Sequence, residues 1–599
     1  MMINNSMLDE LLNMWKTERA PRPDTFSSED CFERTLLTKL NAEEAKRTRK
    51  QQSFSMPQVL KEIFDFYTQK QGLSVPQALK ELSREFGFGN FQREAYVLHD
   101  CISYDCCMPK YKCNLDMMSE QPYDTAPVFD TEEYKTVGER PFVAVSTNPL
   151  STFGADVDTA MYADLRRMVL EEERLPPPEA VRLEEMVNYF EYSYPAPQGD
   201  EVMRPSFELG KAPWDPDRQL LLIGVQAKTP EREKLPPSHY VFLIDNSGSM
   251  DSVFPMVKEA MTTLAGQLRP GDKVSLITYG GCVNVLLEGS SDIEKVCEEI
   301  IRLEADGCTP GGEGIQKAYA VAEKHFIKGG NNRIVLITDG DFNVGASSEA
   351  ELIEMVKAKR DTGIYLSIAG CGMGNYKDNK IKMLANQGNG NAFYLDTVRE
   401  AKRVFVHGMT GNMYALARDV KFQVEFNPAK VFAYRLLGYE LRDMTDRDFR
   451  DDNKESGTVG LGQQVTILYE LIPADASEEV KAAAVPEAPP LKYVRTDAAN
   501  DSNELLTFRM RWRETQGNGA AKENTVAVTS VPPAGENLGW AATVAEAALA
   551  LRESRFASKA SLDHAAEEAL KYTGKDAEED EKRAEFLLLL RRAFNLRSR

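Results

Sequence analysis

Histidine is scarce in this chain, with five in 599 residues. Acid–base chemistry near neutral pH therefore has few side chains to run on. No Gly-x-x-x-x-Gly-Lys-[Ser/Thr] run occurs, so the chain has no phosphate-cradling P-loop of its own. Apolar runs are short, and the densest, Leu587-Leu588-Leu589-Leu590, falls far below the roughly 20 residues that span a bilayer. Met1 to Arg22 lack the basic start and apolar core of a secretory signal. The expected location is the cytoplasm, or the cell envelope if the start is truncated. Positive charge is in deficit, 72 Lys and Arg against 93 Asp and Glu, a net charge of -21. Nucleic acid and anionic membrane surfaces are not expected as partners on that ground, because they would repel the protein at long range. Nine cysteines make an odd number, and Cys282, Cys297, Cys308 and Cys371 are scattered singles that read as reduced thiols. Cys101, Cys106, Cys107 and Cys113 are denser, but they form no pair of C-x-x-C knuckles and enclose no histidine, so zinc is the lesser reading there.

The length calls for about three or four domains. Residues 1–115 carry apolar residues at helical spacing, as at Val59-Leu60, Ile63-Phe64 and Tyr67. Residues 116–150 are polar and turn-rich and read as a linker, and 151–200 read as helical. Residues 201–235 and 415–535 alternate as strands and 236–411 alternate apolar strands with helices, which predicts a doubly wound, Rossmann-like α/β domain inserted in a split β-sandwich. Within the second strand region, 473–490 is rich in Ala, Pro and Glu and reads as a mobile loop. Residues 536–599 close the chain as helices.

Chemistry concentrates in the α/β segment. After the apolar run Val241-Phe242-Leu243-Ile244 comes Asp245-Asn246-Ser247-Gly248-Ser249, in which one carboxylate and two hydroxyls alternate around a sharp turn. Hard oxygen donors in small number suit Mg²⁺, which keeps several waters. Asp-x-Ser-x-Ser alone is also a common helix cap. A second carboxylate, Asp339, follows the apolar run Ile334-Val335-Leu336-Ile337, and Thr309 sits in a glycine-rich loop between them. In open α/β sheets, loops at the carboxyl ends of the strands can converge on one ligand. Asp341 is a further acid near the site, with a cap as its equal alternative, and Asp251 reads as a helix-start acid.

Asp245, Ser247, Ser249, Thr309 and Asp339, in that order, resemble the metal-ion-dependent adhesion site of von Willebrand factor type A domains. The segments Asn148-Pro149-Leu150-Ser151-Thr152-Phe153, Arg182-Leu183-Glu184-Glu185-Met186, Gly329-Gly330-Asn331-Asn332-Arg333 and Tyr434-Arg435-Leu436-Leu437-Gly438 resemble a bacterial group of these proteins, the YfbK-like group. The resemblance implies that Ser247, Ser249 and Thr309 touch Mg²⁺, or another divalent ion such as Mn²⁺, through their hydroxyls. It further implies that Asp245 and Asp339 act directly or through water, and that an open position remains for an Asp or Glu of a partner protein.

The expected function is therefore metal-dependent protein binding, with no catalytic residues. An adaptor for a separate AAA-type ATPase is a second expectation, since several bacterial type A proteins serve such machines. A metal-dependent hydrolase or phosphotransfer enzyme is the weaker rival. Its case lacks a second acid two residues after Asp245 and a basic clamp for phosphate, and Ser249 has no Gly-x-Ser-x-Gly setting.

Overall fold

A computed structural model describes Tyr134 and residues 138–155, 158–280, 282–305, 311–339, 349–372, 378–485, 502–515, 520–573 and 577–598. The chain divides into two units, Met1–Tyr123 and Asp124–Arg599, and all described residues belong to the second. The expected N-terminal helices, the four-cysteine cluster, Thr309, Cys308 and Asp341 lie outside the described residues.

The α/β segment builds a six-stranded sheet. Across it the order is Ala392–Leu395, Ile364–Cys371, Asn331–Thr338, Ser238–Asp245, Lys273–Tyr279 and Val283–Ser290. Neighbours are parallel except the last pair, a hairpin. Side chains alternate faces along each strand. Phe242, Ile244, Val335 and Ile337 pack one way, against Val257, Met261 and Phe405, and Val241, Leu243, Ile334 and Leu336 pack the other, against Ile315, Tyr319 and Ile381. Both faces are thus covered, which is why these strands read as unbroken apolar runs. From Ser238–Asp245 the chain first fills one side of the sheet, then crosses to start the other side at Asn331–Thr338. The strand order reverses between these two strands, the place where an open α/β sheet forms a crevice beyond its carboxyl ends.

Strands on both sides of this segment in sequence pair with one another. Met203–Ala212 and Asp215–Ala227 join Gln464–Pro473, Val431–Leu437 and Val143–Ala144 in one antiparallel sheet. Ala415–Phe426 pairs with Gly457–Gly460, Leu506–Glu514 and Leu150–Gly154, and Leu506–Glu514 with Lys522–Val528, in a second. Leu221, Ile223 and Val225 of the first sheet and Phe422, Val424 and Phe508 of the second share one apolar cluster. The α/β domain therefore connects to this region at two places, before Ser238 and after Met413.

Two local expectations differ from the structure. Leu150–Gly154 is a strand, paired with Lys421–Glu425, in a stretch read as linker and helix. Only Leu150 and Phe153 are large and apolar there, so no period of two marks it. Glu478–Ala484 is a helix in the segment read as a mobile loop. Ser477 caps it, its side chain accepting from the Val480 N–H, and Val480 and Ala484 pack near Phe432 and Ile472.

The C-terminal helices Glu536–Leu551, Leu562–Ala569 and Ala577–Arg597 share a core with Tyr162, Tyr189 and Phe190. Phe190 meets Trp540 and Phe586 edge-on at 5.0 and 5.4 Å. Of the leucine run, Leu587, Leu589 and Leu590 are buried and Leu588 is exposed, so the run packs in a core. No helix among the described residues is long and apolar enough to cross a membrane.

Candidate metal centre

Asp245 and Asp339 lie side by side because their strands are parallel neighbours in register, Ile244 facing Ile337. Each carboxylate follows the last apolar residues of its strand and is buried, Asp245 1 % and Asp339 5 % exposed. The loop after Asp245 is held in two ways. The Asn246 N–H donates to the Tyr279 carbonyl at 2.9 Å, and the Ser247 N–H donates back to Asp245 Oδ1 at 2.9 Å. This turn brings the Ser247 and Ser249 hydroxyls within 3.1 Å of each other, with Ser247 buried and Ser249 exposed. Gly248 then begins a single 3₁₀ turn, and the following helix starts at Phe254. Asp251 thus precedes that helix by three residues, and it is exposed.

Three residues near these carboxylates carried no role in the sequence reading. Thr338 donates its hydroxyl to Asp245 Oδ2 at 3.3 Å. Gly372, at φ +85°, leaves room beside Asp339, whose Cβ would lie 3.1 Å from any Cβ added there. Cys371 directs its thiol to the Thr338 carbonyl at 3.3 Å, and burial, with the two carboxylates adding to it, pushes the thiol well above its usual range. Thr338 was visible as the residue before Asp339, but the other two come from a distant strand end and left no local signal.

Burial pushes the Asp245 carboxyl up from its ordinary value, and the nearby Asp339 carboxylate adds to that, against hydrogen bonds from Ser247 that favour the charged form. Two carboxylates and two hydroxyls at one edge form a hard oxygen donor set. A neutral thiol nearby does not change that character, and the residues present fit a small divalent cation. Among the described residues the Ser249 hydroxyl meets that of Ser247 and no histidine. His239 lies at the other end of the same strand, its Nε2 2.8 Å from Ser275 Oγ.

Family models match at residues 128–222 (von Willebrand factor), 240–341 (von Willebrand factor type A domain) and 411–596 (uncharacterized protein YfbK, C-terminal). The uncharacterized protein YfbK of Escherichia coli strain K12 is 37 % identical over 471 residues, 77 % of this chain and 80 % of that protein. The magnesium-chelatase 60 kDa subunit of Rhodobacter capsulatus is 29 % identical over 143 residues, 23 % of this chain and 26 % of that protein. Among solved structures, a von Willebrand factor type A protein from Catenulispora acidiphila aligns at 14 % identity and a TM-score of 0.34, covering 62 % of this chain and 88 % of its own. With a relative this similar over most of both sequences, the chain belongs to the bacterial von Willebrand factor type A proteins of the YfbK-like group.

Proposed function

We propose that this chain is a divalent-metal-dependent protein-binding module that takes an Asp or Glu of its partner, with no catalytic activity of its own. The type A domain supports the protein-interaction part of this reading. The observation that carries the metal part is the meeting of the buried Asp245 and Asp339 carboxylates with the paired Ser247 and Ser249 hydroxyls at the reversal of strand order.

In this reading Asp245, Ser247, Ser249 and Asp339 hold Mg²⁺ or Mn²⁺, with Thr309 as a fifth ligand. A divalent ion so held supplies a Lewis-acid position for a carboxylate oxygen. The chain's own residues set its selectivity. The Ser247 N–H and the Thr338 hydroxyl each occupy one oxygen of Asp245, fixing the carboxylate's orientation. Serine hydroxyls in place of further acids leave more of the positive charge uncompensated, so an incoming carboxylate gains more attraction. The exposed Ser249 marks the side from which a partner approaches.

The test is capture from native lysate with Mg²⁺ and with EDTA, for the natural chain and Ser249→Ala. We expect capture that needs the metal and falls at least tenfold in the variant, with the circular dichroism spectrum unchanged. Capture indifferent to both chelator and substitution overturns the reading. A nucleotide hydrolase among the captured chains would identify the AAA-type adaptor version.

A further inference from the structure

The run Gly329-Gly330-Asn331-Asn332-Arg333 has no part in the acidic site. It opens the strand Asn331–Thr338, whose far end carries Asp339, so the two lie on the order of 25 Å apart at the usual rise per residue. At this amino end of the sheet there is a cavity of about 660 Å³. Its lining comes from the α/β domain at Phe326, residues 328–332, residues 360–363 and Tyr365, and from both connections of that domain, at Pro236 and at Tyr414 and Ala415. Arg418, Leu461 and Thr515 complete it from the flanking region.

Basic side chains outnumber acidic ones on the described lining, in a chain of net charge -21. Lys328, Arg360 and Arg418 line it, and Asp361 is the one acid among the described lining residues. Asp361 pairs with Arg360, which also reaches Glu455 at 2.8 Å. Behind the wall lies Arg333, 2 % exposed, with its guanidinium 5.5 Å from the centre of the Tyr365 ring. Among the described residues this group meets a carbonyl, Met413 O at 3.0 Å, and a hydroxyl, Ser367 Oγ at 2.6 Å, and no carboxylate. A buried cation held only by neutral acceptors is costly, and burial brings Arg333 down to about 10. Burial pushes the Tyr365 hydroxyl up and Asp361 adds to that, while Arg333, Arg418 and Arg360 act in the opposite sense and favour its ionised form.

The geometry points to an anion site here, for a phosphate-bearing small molecule of about nucleotide size. A phosphate carries more charge than one carboxylate and matches several cations around one cavity. The volume lies within the range of small-molecule sites and exceeds what a bare phosphate would fill. Tyr365, Tyr414 and Phe326 supply apolar faces for an organic portion. Gly329, at φ +73°, has open space where a Cβ would stand, so a ligand can approach its backbone. Because the lining spans both connections of the α/β domain, an occupant would tie that domain to the flanking sheets.

The experiment is calorimetric titration of the full chain with ADP, pyrophosphate and citrate, in EDTA so that the acidic site contributes nothing. Saturable binding of ADP, at least tenfold weaker in Lys328→Glu and unchanged in Asp245→Asn, is the expected result, with pyrophosphate weaker than ADP. Lys328 is exposed, so its substitution leaves the fold intact, and Arg418→Gln probes the opposite wall. The assignment is overturned by no saturable binding of ADP or pyrophosphate up to about 1 mM, the weak limit for a specific small ligand. Binding of citrate alone, or binding indifferent to Lys328→Glu, overturns it as well. The capture assay for the metal site is read separately, so failure of one proposal leaves the other standing.

Discussion

The two ends of the same parallel sheet carry opposite chemistry. At its carboxyl end are Asp245 and Asp339 with serine hydroxyls, and at its amino end are Arg333, Lys328, Arg360 and Arg418 around a cavity. Both ends share their strands, so the contrast cannot come from the fold as such. It comes from the side chains placed at each end, residues just after the apolar runs at the carboxyl end and mostly residues of a helix end, a loop and a flanking sheet at the amino end. Ser238–Asp245 shows this within eight residues. Burial pushes the carboxyl of Asp245 up at one end of it, and the imidazole of His239 down to about 4 at the other. In each case burial in a medium of low dielectric disfavours the charged form. A cation at the acidic end would offset that cost, and nothing equivalent acts on His239.

The largest effect we expect is at the acidic end. Asp245→Ala removes one of the two carboxylates described at this end, and Mg²⁺ affinity should fall by more than the ~100-fold typical of losing an outer partner. That corresponds to more than about 2.7 kcal/mol. Thermal unfolding with and without Mg²⁺ reads it directly. A variant that still gains stability from Mg²⁺ would move the metal away from this end and dissolve the contrast.

His239 gives the next effect, and its sign follows from the depressed value. The folded chain holds the imidazole neutral down to about pH 4, while the unfolded chain protonates it near 6.5. This stability is complete above pH 6.5 and is lost as pH falls towards 4, amounting to about 2 kcal/mol by pH 5. His325, whose ring centre lies 5.8 Å away, and Lys273 reinforce the depression. Unfolding midpoints between pH 7 and 4.5 should therefore fall less steeply in His239→Gln than in the natural chain. Parallel slopes would show that this end of the strand is not electrostatically strained.

Gly372→Ala tests how closely the acidic end is packed. Its φ of +85° is costly for any residue with a Cβ, and the new methyl would stand 3.1 Å from Asp339 Cβ. We expect a loss of about 1 to 2 kcal/mol in stability and a weaker response to Mg²⁺, because Asp339 must shift to make room. A loss of stability with the Mg²⁺ response intact would mean that Asp339 has slack.

Much of this was readable in the residues. The covered faces of the sheet follow from Val241 to Ile244 and Ile334 to Ile337, because strands buried on both sides have no polar alternation to hide them. Asp245, Ser247 and Asp339 follow from their place just after those runs. Leu150–Gly154 escaped because pairing with Lys421–Glu425, across more than 260 residues, makes it a strand. Its own sequence, Leu-Ser-Thr-Phe-Gly, does not. Gly372 and Cys371 escaped for a similar reason, since register between parallel strands is a property of the whole sheet. The amino-end cavity was harder still. Its cations come from helix ends, loops and a flanking sheet, and none is near another in sequence except Lys328 and Arg333.

The smallest effect separates positioning from coordination at the acidic end. Thr338 belongs to the strand, its side chain is buried, and its hydroxyl reaches Asp245 Oδ2 at 3.3 Å. At that length the bond is weak, so its loss should cost no more than about 1 kcal/mol, or about fivefold in metal affinity. Thr338→Val keeps the shape and β-branching and removes only the donor. If Thr338 merely orients Asp245, the variant should weaken Mg²⁺ and Mn²⁺ alike, and Thr338→Ser should restore both. If the hydroxyl itself served as a ligand, the loss would approach that of Asp245→Ala. The ratio of those two losses, measured by titration at one pH, therefore tells whether the end of this strand supplies one oxygen ligand or two.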